Sequence, residues 1–312
     1  MAINNALPHP KSISQPRAGR RSRFPISKMF IHLVIGGFCL LIILPMVLVI
    51  SISFTTESAL RVGGYSLIPQ DFTFEAYRYL FLDPMRIVRA YGVSAFVTAA
   101  GTTLGLLVTT AFAYTLSRRD FAYRGILSVF IFITMIFSGG LAPTYIMMTR
   151  WLNLTDSYLA LILPGVIGAW NVFLMKGFLS SLPSSVIESA KIDGASELKI
   201  YFRIVLPMSK AGLATVGLFI ALNYWNDWFG SLLYMRTPTR FPLQYLLYRI
   251  MAHAAALREI ALLMPDLMTV ADVPTLSARM AMAVIASGPM LIAFAFLQKY
   301  FVKGIHLGSV KG

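Results

Sequence analysis

The sequence predicts an all-α, polytopic membrane protein with six transmembrane helices and both termini in the cytoplasm. Three observations predict it: an extreme apolar composition, six separate apolar runs of spanning length, and a one-sided distribution of Lys and Arg. The chain has 312 residues, 57% of them hydrophobic and 13% charged, and a mean hydropathy of +0.71. Soluble domains carry about 25% charged residues. So apolar a chain cannot hide its surface in one water-facing globule, which leaves the bilayer as its solvent.

A spanning helix needs about 20 mostly apolar residues. Six segments meet that requirement: Phe30–Ile52, Val93–Leu116, Ile126–Met148, Tyr158–Leu179, Leu213–Met235 and Met280–Phe301. Ahead of the first, residues 1–28 hold Lys11, Arg17, Arg20, Arg21, Arg23 and Lys28 and no acidic residue, which reads as a disordered basic cytoplasmic lead. The run after it is too long for a signal h-region and lacks a small-residue cleavage pattern, so it reads as a first span and not as a cleaved leader. Residues 29–312 then form one transmembrane domain.

Orientation follows from the basic loops. Arg118, Arg119 and Arg124 follow the second run, Lys191, Lys199, Arg203 and Lys210 follow the fourth, and Lys299, Lys303 and Lys311 lie at the C-terminal end. With six alternating helices these and the basic lead share one side, the cytoplasmic one. The loop over residues 236–279 is net basic on the other side, where the rule weakens because the loop is long. The net charge of +14 therefore belongs to membrane topology and not to a nucleic-acid groove.

Several runs carry helix breakers: Gly139, Gly140 and Pro143 in the third, Pro164 and Gly165 in the fourth, Gly288 and Pro289 in the sixth. Such breaks serve either close packing or hinges lining a pathway. Gly101 and Gly105 form a G-x-x-x-G in the second run and read as a helix-packing face.

Between the fourth and fifth runs lies a polar loop, residues 180–212. Ser185 and Glu188 fit a capping box that starts a short helix. Gly194 suits the left-handed residue that ends it. Ser196 caps a second short helix through Ile204, and Pro207 stops that helix or marks the approach to the fifth run. The segment is amphipathic and lies beneath the membrane.

Chemistry of other kinds is missing from the sequence. There is no G-x-x-x-x-G-K-[ST] and hence no ATP site, and no G-x-S-x-G elbow. His9, His32, His253 and His306 are scattered, and Cys39 is the one cysteine, so neither a metal set nor a disulfide is expected. Few ionisable groups lie in the apolar runs, chiefly Asp227 and Lys176, fewer than an ion-driven transporter needs. A non-enzymatic chain that binds no cofactor is the expectation. Asn223, Trp225, Asn226, Asp227 and Trp228 cluster in the fifth run. Amides, a carboxylate and indole rings suit sugar hydroxyls and sugar faces, or else form an aromatic interface belt.

The loop resembles the coupling motif of ABC importer permeases, E-A-A, three residues, G, nine residues, I-x-L-P. Glu188, Ser189, Ala190, Gly194, Ile204, Leu206 and Pro207 keep that spacing, and Asp193 and Ala195 flank the glycine as in the sugar-transporting branch. Ser189 replaces one alanine of the triplet, and Ala211 stands where many relatives have proline. Residues 138–145, 160–165, 224–234 and 298–312 are also similar to carbohydrate-type permeases, of the maltose-type second permease and lipoprotein-linked oligosaccharide kinds. The resemblance implies the type I importer permease fold in a bacterial inner membrane. It also implies the partners: a second permease, a dimer of ATPase subunits that bind ATP and Mg, and an extracytoplasmic solute-binding protein. The loop would then be a coupling helix docked on the ATPase, with Ala190, Gly194 and Ala195 allowing close approach. Sugar or oligosaccharide import is the expected function. Import of another solute, such as a glycerol phosphate or a peptide-like molecule, and secondary transport are the alternatives.

Overall fold

A computed structural model describes residues 26–263 and 275–307. It is helical almost throughout. Among the described residues there is no strand, only an isolated antiparallel bridge between Thr55 and Phe72. The chain falls into two units, residues 1–47 and 48–312. The first contains most of α1, Ile26–Ser53, strongly apolar beyond Lys28 and carrying Pro45 inside the helix.

Two short helices follow, α2 (Glu57–Gly63) and α3 (Glu75–Leu80), and then α4, Pro84–Ser117, at 34 residues the longest helix among the described residues. The sequence reading starts this helix at Val93, but the Asp83 carboxylate accepts the Arg86 N–H at 3.2 Å and Pro84 fills the first turn, so it begins nine residues earlier. Arg86 and Arg89 depress the hydropathy of that extension and hide it from an apolar-run search. At about 1.5 Å per residue the rod is about 50 Å long.

The third apolar run is broken. Helix α5 (Arg124–Ile136) and the piece made of α6 (Leu141–Ile146) with a π turn over Met147–Trp151 meet at 107°. Gly140, at φ +85°, makes the corner. The fourth run is α7 (Tyr158–Ile162) with a tight turn over Leu163–Gly165, then α8 (Ala169–Ser180), bent by 52°. The breakers expected in these two runs thus do break them. Gly288 and Pro289 do not: α15, Leu276–Leu307, is helical through both.

Helices α9 (Ser184–Ile192), α10 (Glu197–Ile200), a π turn over Tyr201–Val205 and α11 (Leu206–Met208) form an elbow. The segment Glu197–Met208 then meets α12, Lys210–Trp225, at 84°. The fifth run, expected as one helix to Met235, ends at Trp225 and resumes as α13, Phe229–Tyr234. The loop expected over 236–279 contains a helix instead, α14, Leu243–Leu263, anchored by buried Phe241, Leu243, Leu246 and Leu247. Residues 264–274 of that segment, the lead before residue 26 and the tail after residue 307 lie outside the described residues. Three described helices are long and apolar enough to cross a membrane, or up to six if each bent pair is one span.

The core forms where α4 meets α12 and α8. Small residues allow this contact. The Tyr224 ring lies so close to Gly101 that a Cβ there would stand 2.6 Å from it, and a Cβ on Gly165 would stand 2.9 Å from the same ring. Ile220 faces Gly105 in the same way, at 3.2 Å. The G-x-x-x-G reading holds: missing side chains on α4 admit a ring and an isoleucine from α12. A second cluster joins α3, the start of α4, Trp225, α14 and α15.

Two acidic clamps, one buried and one half-buried, tie distant segments together. The Glu57 carboxylate accepts the backbone N–H groups of Thr275, Leu276 and Ser277 at 3.0 to 3.3 Å through Oε2, and Thr275 Oγ1 donates to its Oε1 at 2.8 Å. It thereby caps α15 from 218 residues away. Asp156, at φ +58°, accepts the N–H groups of Arg236 and Thr237 at 3.0 and 3.1 Å, joining the turn after α6 to the chain leaving α13. The Thr237 hydroxyl and these N–H groups hold its carboxyl down at about 2.

Candidate functional site

The elbow begins at Pro183, whose carbonyl accepts the Val186 N–H at 3.3 Å. The expected capping box does not form. Ser184 is already helical, so Ser185 lies inside the first turn where it cannot cap, and Glu188 projects outward, exposed. Gly194 ends α9 at φ +73°. The Ala195 N–H donates to Ala190 O and the Gly194 N–H to Lys191 O, both at 3.0 Å, a complete Schellman cap. A Cβ on Gly194 would meet nothing within 4 Å, so glycine is required by the backbone angle and not by crowding. Beyond it, Ser196 Oγ accepts the Lys199 N–H at 3.4 Å and starts α10 as expected.

Pro207 does not stop the second arm. The helix continues to Met208, and the corner falls at Ser209, whose Oγ and N–H both donate to Val205 O, at 2.8 and 3.1 Å. Ile204 and Leu206 are half-buried against the core, and Pro207 is exposed. Of the small residues expected to allow close approach from outside, Ala190 is buried in this chain's own core and Ala195 packs partly against it. Ser189, Asp193 and Gly194 are exposed.

The elbow exposes large apolar side chains that the motif does not mark. Ile192 is 86% exposed, Leu198 70% and Phe202 55%, with Met208 and Val186 also open. They stand on short helices otherwise rich in charge. Hydropathy averages dilute them, but the helical phase around Gly194 turns them outward.

An ion cluster lies against the elbow. The Arg118 guanidinium holds Asp120 through two hydrogen bonds, at 3.0 and 2.8 Å. Lys191 Nζ reaches Asp120 at 2.7 Å and Glu197 at 2.8 Å, and the Tyr114 hydroxyl donates to Glu197 at 2.7 Å. Arg118 and then Lys191 hold the Asp120 carboxyl well below the usual carboxylate range. Lys191 likewise lowers Glu197, and Asp120 in turn raises the Lys191 ammonium. Apart from the neighbouring Arg118 and Asp120, spacing does not single out these pairs, because they are 71 or more residues apart or lie across the glycine turn.

The five polar and aromatic residues expected together in the fifth run diverge. Asn223 and Asp227 line a cleft of about 270 Å³ with Pro164, Gly165 and Tyr234. Asp227 Oδ1 accepts the Gly230 N–H at 2.8 Å, capping α13. Trp225 is buried in the second core cluster, where its Nε1–H donates to Ala286 O at 2.9 Å. Asn226 is exposed and accepts from Gln244 at 3.3 Å. Trp228 stacks on Tyr248 at 4.5 Å beside a separate cleft of about 200 Å³ that Arg279 also lines. The break at residues 226–228 turns these side chains to different faces. Among the described residues no group of His, Cys, Asp and Glu could hold a metal ion.

Residues 101–307 match the family described as binding-protein-dependent transport system inner membrane component. The chain is 39% identical to the polygalacturonan/rhamnogalacturonan transport system permease protein YtcP of Bacillus subtilis, covering 92% of this chain and 99% of that one. It is 40% identical to protein LplC of the same organism, covering 90% and 93%. Its fold is similar to a chain in the crystal structure of a bacterial ABC transporter involved in the import of the acidic polysaccharide alginate. That match has a TM-score of 0.73 and 26% identity, and covers 92% of this chain and 100% of the other. With the glycine elbow at the family's motif spacing, this multi-pass chain belongs to the binding-protein-dependent transport system inner membrane components.

Proposed function

We propose that this chain is the permease subunit of an ABC importer for a sugar or oligosaccharide, driven by ATP that a partner subunit hydrolyses. Its six spans place both termini in the cytoplasm, and the elbow lies at the inner face. A second permease, two ATPase subunits carrying ATP and Mg, and an extracytoplasmic solute-binding protein complete the machine. The observation that carries the reading is the elbow itself, a short charged structure that turns Ile192, Leu198 and Phe202 outward. Exposed apolar groups clustered on a polar segment call for a protein groove to cover them. Glu188 and Asp193 at its rim pair there with basic residues of the ATPase. The YtcP relative, whose name specifies polygalacturonan and rhamnogalacturonan, supports the carbohydrate substrate class.

Asn223 and Asp227 contact sugar hydroxyls through the cleft they line, and Trp228 offers an exposed ring edge on another face. Trp225 contributes by holding α12 to α15.

The test is reconstitution of the complex in liposomes with its binding protein inside an assay for labelled oligosaccharides, uronate-bearing and neutral. ATP-dependent accumulation of either class is the expected result. Ile192→Asp should abolish co-purification of the ATPase while the chain still inserts in the membrane. Accumulation by the purified chain alone, without an ATPase, would overturn the proposal.

A further inference from the structure

We propose that the cluster Tyr114, Arg118, Asp120, Lys191 and Glu197 is a brace that makes the elbow and the end of α4 move as one body, so that α4 is the rod the elbow drives. The inference rests on the coupling role proposed for the elbow and adds the route by which its motion leaves it.

Each arm of the elbow is held separately. Lys191 ties α9 to Asp120 just beyond α4, and Glu197 ties α10 to Tyr114 within α4. Lys191 also bridges to Glu197 at 2.8 Å, closing the angle across Gly194. Behind the charges, Tyr201 of the π turn packs against Tyr114, ring centroids 5.4 Å apart, and its hydroxyl meets that of Thr110. Tyr201 is 6% exposed and Thr110 1%. Exposed ion pairs contribute little to stability singly. A network backed by a buried aromatic contact fixes geometry instead, and geometry is what a lever needs.

The rods available to receive the motion differ. α5 with α6, and α7 with α8, are broken, and the elbow meets α12 across a corner of 84°. A bend absorbs displacement. α4 runs unbroken for 34 residues from the elbow to its far end. Ten residues short of that end, Ser94 Oγ accepts the Leu243 N–H at 2.8 Å and holds the start of α14. A shift at the elbow is thereby delivered along α4 to α14. Arg118, Asp120, Lys191 and Glu197 are positioning residues and touch no substrate.

The test uses the assembled complex in liposomes, with Cys39→Ser as the background. In Asp120→Cys/Lys191→Cys, the brace is cut, and transport per ATP hydrolysed should fall roughly fivefold or more, while binding-protein-stimulated hydrolysis continues. A short bis-methanethiosulfonate cross-link between the two cysteines should restore it. Asp120→Asn/Glu197→Gln should show the same fall with no rescue by the reagent. Wild-type transport per ATP in the cut variants, or a further fall on cross-linking, overturns the brace: in the first case it is unnecessary, in the second the elbow must slide against α4. Failure of the ATPase to associate with the unmodified complex would instead overturn the coupling reading.

Discussion

Replacing Gly101 by alanine should destabilise the protein by about 2–3 kcal/mol, against the usual preference of helices for alanine. The added Cβ would stand 2.6 Å from Cε2 and Cζ of Tyr224. Carbon atoms rest at about 3.5–4.0 Å, so the ring must retreat by roughly 1 Å. It has nowhere to go, because Gly165 stands on its other side, already close enough that a Cβ there would lie 2.9 Å away. The hydroxyl is also held, donating to Ile162 O at 2.7 Å. Overpacking costs about 1–3 kcal/mol, and a displaced ring forfeits about 1 kcal/mol of hydrogen bond. Gly92, on the same helix, has nothing within 4 Å of its Cβ position. There the change to alanine should stabilise by about 0.5–1 kcal/mol. The assay is the thermal unfolding midpoint of the purified chain in dodecyl maltoside, followed by tryptophan fluorescence. Tyr224→Ala costs stability itself, but in that background Gly101→Ala should turn neutral or stabilising, since the obstructing ring is gone. If Gly101→Ala behaves like Gly92→Ala with Tyr224 present, the slot between α4 and α12 is not as tight as described and the reasoning fails.

Three further outcomes follow from the clamps and the elbow. Glu57→Gln should cost about 2–3 kcal/mol, because the caps of three N–H groups lose their charge; faster amide exchange confined to residues 275–277 would locate the effect, and unchanged exchange would refute it. The Asp156 carboxyl is held near 2 in the folded chain, so its contribution, about 1–2 kcal/mol, is complete above about pH 4 and disappears as pH falls through 2. Asp156→Asn, whose side chain tolerates the positive φ, should lower the unfolding midpoint at pH 7 and match wild type near pH 2. A gap of equal size at both pH values would show that the charge is not responsible. Gly194→Ala should cost about 1–2 kcal/mol through its backbone angle alone, with larger side chains costing little more because the space beyond is open; a steep dependence on side-chain size would contradict that geometry.

The elbow shows what was legible beforehand. Gly194 and Ser196 were readable because each acts on its immediate neighbours: a left-handed residue closes a helix, and a hydroxyl caps the next N–H groups. Ser185 misled because Pro183 starts the helix earlier than a capping box allows, and one turn decides whether a serine caps or points to solvent. Asn223, Trp225, Asn226, Asp227 and Trp228 looked like one site because they are adjacent in sequence. A break after Trp225 sends them to separate faces, and neither proline nor glycine marks that break.

Taken alone, the sequence determined that the chain is a helical membrane protein, where most of its apolar rods lie, and that a glycine-hinged segment joins the fourth and fifth of them. These are sums over neighbouring residues, and hydropathy, caps and turns act over that range. Only the tertiary structure decided that Glu57 caps a helix more than 200 residues away, that Tyr224 fills the slot left by two glycines, and that Lys191 and Glu197 lock the elbow to α4. Each depends on which surfaces meet when rods pack, and that choice is made by the shape and charge of both partners together, which no local stretch of chain contains.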